Sequence, residues 1–519
     1  MDRKIGKKII AACGIIVFAI SCMFFVYCEG DKKSSPYVEQ QSFVEKSQTN
    51  KSEELIEDKS LEELIKDDNT VIWTVPGLGT LDQSNVDYLN ELLEKDGYSI
   101  KLAVRTIDAS TEADTFNRTI KELLKEGKTD IVYTGMLVEE KQIALPLIES
   151  GYLENLNSYL KTTEGKQLKK AFAETEWEAT CISGNNYVIP AQDLDTQFYV
   201  AFNKKYIKKQ DAESFSGDWS DLLNYVSVGM GDNNSFVPII WTMGTTYALE
   251  AQGYQEIYGL LGDIKTGEIS NPFELPEYYD LLKFLHTAWE NGYLGSDYSF
   301  EYGSMGDSAN DALVEGNYAI LVGYSESFIA EHREQLTVVP VKNCKYRLDN
   351  DGCTGIASKS KKKEKAFKLL SLIYTNEKYA NALAYGEEGK DYEVEGEYIS
   401  SYSEEDNMEL LSFVYGIYDM LLPKKGSEFA PNVKENRRAY LESDYCQKSI
   451  FLKFHLDVAD WNEEILKAQN ITAYEHVICT SKIFEEEYKK AEKEVSKETE
   501  RLEQYIQKEF DRWYQSSEK

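Results

Sequence analysis

Two pairs of closely spaced carboxylates offer the most direct chemistry in this chain: Asp193 and Asp195 in AQDLDTQ, and Glu387 and Glu388 in GEEGKDY. Carboxyl groups flanking a glycosidic bond work as acid and base, or as acid and nucleophile, when their separation across that bond is fixed. Sequence does not fix it, and with 90 acidic residues in 519 neighbouring carboxylates also arise by chance. Glu388 can equally brace the loop between Gly386 and Gly389. Aromatic side chains offer the alternative chemistry of binding. Tyr and Trp present flat apolar faces with one polar handle, which suits the CH patches and hydroxyl edges of sugar rings. The 36 Tyr and 7 Trp are compatible with carbohydrate without requiring it. Trp241 ends the apolar run FVPIIW, and Tyr324 and Ser325 follow the run AILVG, so all three are candidates for the edge of a cleft. Trp73 lies on a first strand where core packing is at least as well motivated, and Trp219 reads as a helix start capped by Asp218 or Ser220. Other catalytic constellations are missing. His286, His332, His455 and His476 fall in segments that read as helical or loop surface, and none has a Ser or Cys neighbour in a nucleophile-elbow setting. No Walker loop occurs, and DNDG at 349–352 lacks the further ligands of a calcium loop and reads as a turn.

These residues need elements to position them. In 184–206, two strand-like runs, Tyr187–Pro190 and Phe198–Phe202, flank a polar segment too short for a crossover helix. One reading is a hinge between two lobes, with Gln192, Asp193 and Asp195 at the mouth of an interlobe cleft; the other is a β-hairpin with a wide turn. Upstream, TVIWTVPG at 70–77 reads as a strand stopped by Pro76 and Gly77. Val86, Leu89, Leu92 and Leu93 then recur at helical spacing, followed by a strand over Tyr98–Val104, a helix over Ala113–Lys125 and a strand over Asp130–Thr134. Strands alternating with helices imply a mostly parallel sheet, whose ligands sit beyond the carboxyl ends of the strands. This makes Tyr133 a candidate ligand residue. Near the C-terminus, Phe484, Tyr488, Ala491, Val495, Leu502, Ile506, Phe510 and Trp513 recur at helical spacing in a highly charged segment. The repeat does not hold a strict heptad, which favours packing along a lobe over a coiled-coil arm.

The chain as a whole sets bounds. At 519 residues it exceeds the size of a single core. Its formal charge of −33, from 57 basic against 90 acidic residues, repels phosphate backbones and argues against nucleic acid. Residues 1–28 read as a signal or anchor: Arg3, Lys4, Lys7 and Lys8 precede an uncharged stretch from Ile9 to Cys28. Ala19-Ile20-Ser21-Cys22 resembles a bacterial lipobox, with Cys22 as the lipidation site; Cys28 is the alternative, and an uncleaved signal anchor is the third option. Each leaves the bulk of the chain outside the cytoplasm. Residues 29–69 carry too few apolar groups to order themselves and read as a flexible tether. Of the body cysteines, Cys181, Cys344, Cys353, Cys446 and Cys479, an odd number implies at least one free thiol; Cys344 and Cys353 flank a turn and are either bridged or free. No pattern suggests a structural metal.

The order of segments resembles the extracellular solute-binding proteins of ABC importers, of the sugar-binding type that includes maltose-binding protein. VIWTVPG, GKTDIVYTG at 127–135, ESGYLENLNSYL at 149–160, the Trp177 segment, GNNYVIP and FNKKYIKK at 202–209 follow in the family's order. DWSDLL at 218–223, DALVEGNYAILVGYSES at 311–327 and the stretch TGIASKSKKKEKAFKLLSLIY…GEEGKDY at 354–392 continue it, so the resemblance covers about residues 70–392. The segment 393–519 is longer and more charged than in shorter members and is similar only to the helical tail of larger ones. The resemblance implies an α/β fold of the two-lobed, type II periplasmic-binding-protein kind, with an interlobe cleft and an extended helical C-terminus. Lobe 1 is expected at 70–191 plus 354–400, and lobe 2 at 192–353 plus 401–519. It implies a monomeric receptor on the extracytoplasmic face of a bacterial membrane that delivers a small polar solute, an oligosaccharide first of all, to permease subunits, with no cofactor and no catalysis. Cleft carboxylates would then accept hydrogen bonds from ligand hydroxyls or amines. The expected ligand residues are Tyr133, Asp193, Trp241, Tyr324, Ser325 and Glu388. A secreted carbohydrate-active enzyme and a solute sensor coupled to a membrane kinase are the competing readings.

Overall fold

The computed structural model describes residues 63–77, 82–107, 113–134, 144–191, 198–226, 236–241, 244–294, 315–323, 334–344, 353–396, 398–402, 415–422, 438–456, 461–469 and 471–517. The N-terminal segment with Cys22 and Cys28, most of the tether, and DNDG lie outside these residues.

Strand β1 (Thr70–Pro76) is buried along its whole length, as expected of an apolar run with both faces covered. It pairs in parallel with β2 (Lys101–Ile107) and β3 (Ile131–Tyr133). Between them, α1 (Gln83–Lys95) starts at Asp82, whose side chain accepts from the Ser84 amide, and buries Val86, Leu89, Leu92 and Leu93. The strand expected from Tyr98 begins at Lys101 instead, because the preceding residues close the helix. Gly97 takes φ 84°, its N–H donates to Glu94 O, and the Tyr98 N–H donates to Leu93 O at 2.8 Å, a Schellman cap that consumes Tyr98. Helix α2 (Ala113–Glu126) buries Phe116, Ile120 and Leu124. After β3 come α3 (Ala144–Glu149), α4 (Thr163–Lys170), α5 (Glu174–Ala179), the two-residue strands β4 (Cys181–Ile182) and β5 (Asn185–Asn186), and β6 (Val188–Ile189).

The chain then builds a second sheet from β7 (Phe198–Asn203), β8 (Val237–Trp241), β12 (Tyr318–Gly323) and β13 (Leu336–Val341), in the order β13-β7-β12-β8. Helices α6 (Lys209–Ala212), α7 (Thr245–Glu250) and α8 (Pro276–Glu290) accompany it, as does an antiparallel meander of β9 (Tyr254–Ile257), β10 (Leu260–Asp263) and β11 (Ile269–Ser270). Trp219 sits where expected, with the Asp218 side chain accepting from the Ser220 amide and the indole N–H donating to Ala248 O at 3.1 Å. The short β14 (Asn343–Cys344) ends this unit.

Strand β15 (Thr354–Ile356) returns to the first sheet, antiparallel to both β3 and β6, completing the order β2-β1-β3-β15-β6. The two runs flanking 190–198 therefore belong to different sheets and do not form a hairpin. Helices α9 (Lys363–Thr375) and α10 (Glu377–Tyr385) and the ribbon of β16 (Tyr392–Glu395) and β17 (Tyr398–Tyr402) follow in the first lobe. Residues 415–422, beyond the boundary expected at 400, also pack against the first sheet. Tyr415, Ile417 and Met420 pack into its core, Tyr415 meets Trp73 edge-on at 4.8 Å, and Tyr374 Oη donates to Tyr415 O at 2.7 Å. These apolar side chains pack in the same cluster as the β1 residues Val71, Trp73 and Val75.

Beyond it, β18 (Cys446–Gln447) pairs with β14, and α11 (Asn462–Gln469), α12 (Thr472–Thr480) and the 34-residue α13 (Phe484–Ser517) close the chain. Helix α13 packs along the second lobe. Phe484, Tyr488, Ala491 and Val495 join that lobe's core, and Leu502, Ile506 and Phe510 join a third cluster with Phe451 and Phe454. Gly267 lets the helix approach: at φ 78°, a Cβ there would lie 2.4 Å from the Phe510 ring. All of the body cysteines are free thiols. Cys353 is in the first lobe's core and Cys344 packs with Ala179, Ile264 and Leu452, so no bridge joins them.

Candidate ligand-binding cleft

Strand register locates the functional face of each lobe. In the first sheet, Thr354, where β15 begins, lies opposite Tyr133, the last residue of β3, and opposite Ile189, the last residue of β6. The chain therefore leaves and re-enters this lobe at the carboxyl ends of the parallel strands β1, β2 and β3. In the second sheet, Tyr199 at the start of β7 pairs with Gly323 at the end of β12, while β12 runs parallel to β8 with Val322 beside Trp241. Val341, ending β13, pairs with Phe198. Entry and exit again fall at the carboxyl ends. Both crossings thus join the lobes along the faces where an α/β sheet binds its ligands.

The expected ligand residues divide into three groups. Asp193, Tyr324 and Ser325, together with Gln192 and Asp195, lie outside the described residues. Tyr133 and Trp241 stand at the ends of β3 and β8 as anticipated, yet their rings are enclosed. Tyr133 is fully buried, edge-on to Phe116 at 6.4 Å; Trp241 is 1% exposed, edge-on to Trp219 at 5.4 Å and against Phe284 at 5.7 Å. Side chains alternate faces along a strand, and these two fall on the packed faces. Both rings are enclosed in this arrangement and present no open face. Glu388 alone is both described and exposed.

Glu388 belongs to a built turn. Helix α10 ends against the first turn of α1, where Asn85 Nδ2 donates to Ala384 O at 3.1 Å. Because α1 follows β1, this contact holds the turn 386–391 at the carboxyl-end side of the sheet. Gly386 has φ 82°, and a Cβ on it would lie 2.6 Å from Asp391 Oδ2 and 2.7 Å from Asn85 Oδ1. The Glu387 N–H donates to Asp391 Oδ2 at 2.9 Å, and the Gly389 N–H to Tyr392 O at 2.7 Å. Two tyrosines flank the carboxylates. Tyr392 is 7% exposed, with its ring 5.6 Å from that of Tyr385, and Tyr88 is half-buried on α1. Burial, then the Glu387 and Glu388 carboxylates, raise the Tyr88 phenol above its ordinary value; burial first, then Glu388, push Tyr392 up to about 12. Both therefore stay protonated at neutral pH. Sequence reading missed Tyr88 and Tyr392, although Tyr392 stands four residues after Glu388 in GEEGKDY.

Two histidines depart from the surface expected for them. His286 is buried on α8, its Nδ1 3.0 Å from Cys479 O, and His455 is partly buried with Nε2 3.2 Å from Ala179 O. Each satisfies a backbone carbonyl. Among the described residues no cluster of three or more His, Cys, Asp or Glu side chains could hold a metal ion.

This architecture is that of the two-lobed solute-binding proteins, as the residue resemblance implied. No protein-family model matches the chain. A carbohydrate ABC transporter substrate-binding protein of Streptococcus pneumoniae serotype 4 is 25% identical over 245 residues, 45% of this chain. The match spans about half, 49%, of that relative's length. Among solved structures, the N-glycan transport solute-binding protein NgtS of Streptococcus pneumoniae superposes with a TM-score of 0.62 at 18% identity, over 86% of this chain and 100% of NgtS. The ABC-transporter substrate-binding protein FusA of S. pneumoniae, in complex with kestose, gives 0.52 at 12% identity, over 86% and 99%. These similar proteins are binding proteins rather than enzymes.

Proposed function

We propose that this protein is an extracytoplasmic receptor that closes its lobes on an oligosaccharide and passes it to the permease subunits of an ABC importer. The observation that carries this reading is the convergence of both crossings with the carboxyl ends of β1, β2, β3, β8 and β12. A polar solute held between those ends draws binding energy from both lobes and biases them towards closure, by as much as it prefers that state. The pneumococcal carbohydrate-binding relative supports the choice of a sugar. In this reading Asp193, Tyr324, Ser325 and Glu388 contact the solute, and Tyr133 and Trp241 hold the floor beneath it. The carboxylates accept hydrogen bonds from sugar hydroxyls and perform no acid–base step. A lipid on Cys22, or on Cys28, or an uncleaved signal helix, tethers the monomer to the outer face of the membrane.

The test is a thermal-shift screen against oligosaccharides, peptides and small metabolites, with chromatography of each ligand afterwards. A ligand that binds only the folded state adds about 2.7 kcal/mol at a hundredfold excess over Kd. The expected result is a dose-dependent rise in Tm with an oligosaccharide recovered intact. Recovery of hydrolysed sugar would turn the assignment into an enzyme, and a response confined to peptides would remove the carbohydrate.

A further inference from the structure

Glu475, on the C-terminal helix α12, is a carboxyl group only 1% exposed to solvent. Two hydroxyls donate to its Oε1: Thr245 Oγ1 and, at 2.5 Å, Tyr278 Oη. Its Oε2 has no hydrogen-bond partner among the described residues. The titratable groups beside it are Tyr278 on α8 and Cys479 on its own helix, each pushed up by burial first and by Glu475 next. No ammonium or guanidinium among the described residues pairs with it. Burial raises the Glu475 carboxyl above its ordinary value, against the opposing pull of the two hydroxyls. An ionised carboxylate with one bare oxygen in so dry a place is far more costly than a neutral acid.

Thr245 links this acid to the binding architecture. It is the first residue of α7, the helix that follows β8, and the carboxyl end of β8 belongs to the face where such a sheet binds its ligands. A helix of six residues holds its own first turn poorly. Gly244 caps it without a side-chain hydrogen bond, so the Thr245 hydroxyl on Glu475 supplies the fastening. Glu475 is itself held in place, because α12 is pinned to α8 one turn further on. There the Cys479 carbonyl lies 3.0 Å from His286 Nδ1, and Cys479 Sγ donates to Leu282 O at 3.6 Å. Tyr278, the other donor, lies in the core, with its ring edge-on to Phe273 at 5.1 Å.

Resting on the receptor reading above, we propose that Glu475, as a buried neutral acid, is a positioning residue for solute binding: through Thr245 it fixes the turn between β8 and α7 and so enlists the C-terminal helix α12 in support of the cleft. The solute then meets a turn already in place, and no binding energy is lost in ordering it. Glu475 does not touch the solute; it acts through the Thr245 hydroxyl alone, while the Tyr278 hydroxyl serves only the packing between α8 and α12.

The experiment is titration calorimetry on the full chain in mild detergent with malto-, manno- and fructo-oligosaccharides, beside a thermal melt of each variant. Thr245→Val and Tyr278→Phe each deprive Glu475 of one donor, the first at the turn and the second in the core, and both are expected to lower Tm. Only Thr245→Val is expected to weaken the bound sugar, about fivefold to tenfold, with Tyr278→Phe staying within about twofold of the wild type. Glu475→Gln, which keeps the acceptor and carries no charge, is expected to retain both Tm and affinity, and Glu475→Ala to lose both. Wild-type affinity in Thr245→Val, or an equal loss in Tyr278→Phe, would overturn the positioning role and leave the receptor standing, because the pair would then serve stability alone. Loss of binding in Glu475→Gln would overturn it too, since an ionised carboxylate would be what the turn requires. Failure of every sugar to bind the wild type would overturn the receptor reading and this inference together.

Discussion

Gly386 is the residue on which the rim turn depends most directly. Its φ of 82° and the atoms crowding its missing Cβ, Asp391 Oδ2 and Asn85 Oδ1, leave no room for a side chain. Gly386→Ala is expected to cost roughly 1–3 kcal/mol and to weaken sugar binding as the turn shifts, measured by denaturant unfolding and calorimetry. Tyr374→Phe is expected to behave in the opposite way. It strands the buried Tyr415 carbonyl at a cost of about 1–3 kcal/mol and leaves affinity unchanged, because the pair lies in the core over β1. The difference also shows how far single residues were legible. GEEGKDY announces its turn through its glycines, and Glu388 was found that way. The directions of Tyr133 and Trp241 were not legible, because β3 and β8 are buried on both faces, and a strand without polar–apolar alternation gives no parity from which to read the facing side.

At the scale of elements, α13 illustrates what periodicity can and cannot supply. The apolar spacing from Phe484 to Trp513 gave the helix and its buried stripe, but nothing local named Gly267 and Phe451 as the surface that receives Phe510. Phe510→Ala removes a ring packed 4.4 Å from Phe451 and is expected to destabilise the second lobe by roughly 3–5 kcal/mol. The same helix titrates. Glu503, partly buried, is raised to about 7, first by loss of solvent and next by the Glu274 carboxylate. The folded state therefore holds this proton more tightly than the unfolded chain does. Its contribution is complete below about pH 4.5 and is lost as pH rises through 7. Melting curves across that window are expected to fall more steeply for the wild type than for Glu503→Gln. The meeting of Val188–Ile189 and Phe198–Asn203 with different sheets was foreseen only as one of two options, since a short polar spacer is compatible with either until pairing partners far along the chain are known.

For the whole molecule, the segment 438–456 is the piece that sequence left without a role. It is fastened to the second lobe by Phe451 and Phe454 and touches the first lobe at several points. Arg438 donates to Lys170 O at 2.5 Å, Tyr440 and Leu441 pack on Ala173, and His455 faces Ala179 O at 3.2 Å. Enclosure holds the His455 imidazole down at about 4. The folded state thus favours the neutral ring, whose contribution is complete above about pH 6.5 and lost as pH falls through 4. His455→Gln, which keeps a donor for the carbonyl, is expected to flatten the acid limb of the stability profile. Tyr415, Ile417 and Met420 were not legible as partners of the first sheet for a related reason: they pack with residues of strands hundreds of positions earlier, and no local pattern signals such a contact. The sheet order β2-β1-β3-β15-β6 has a final consequence, in time rather than space. A chain emerging amino end first delivers β1, β2, β3 and β6 early, yet the rung that joins β3 to β6 arrives only at Thr354, after the whole second sheet has passed. The sheet that begins first is completed only after the whole second sheet has been made, and until then its half-built edge at β3 is open to the wrong strand.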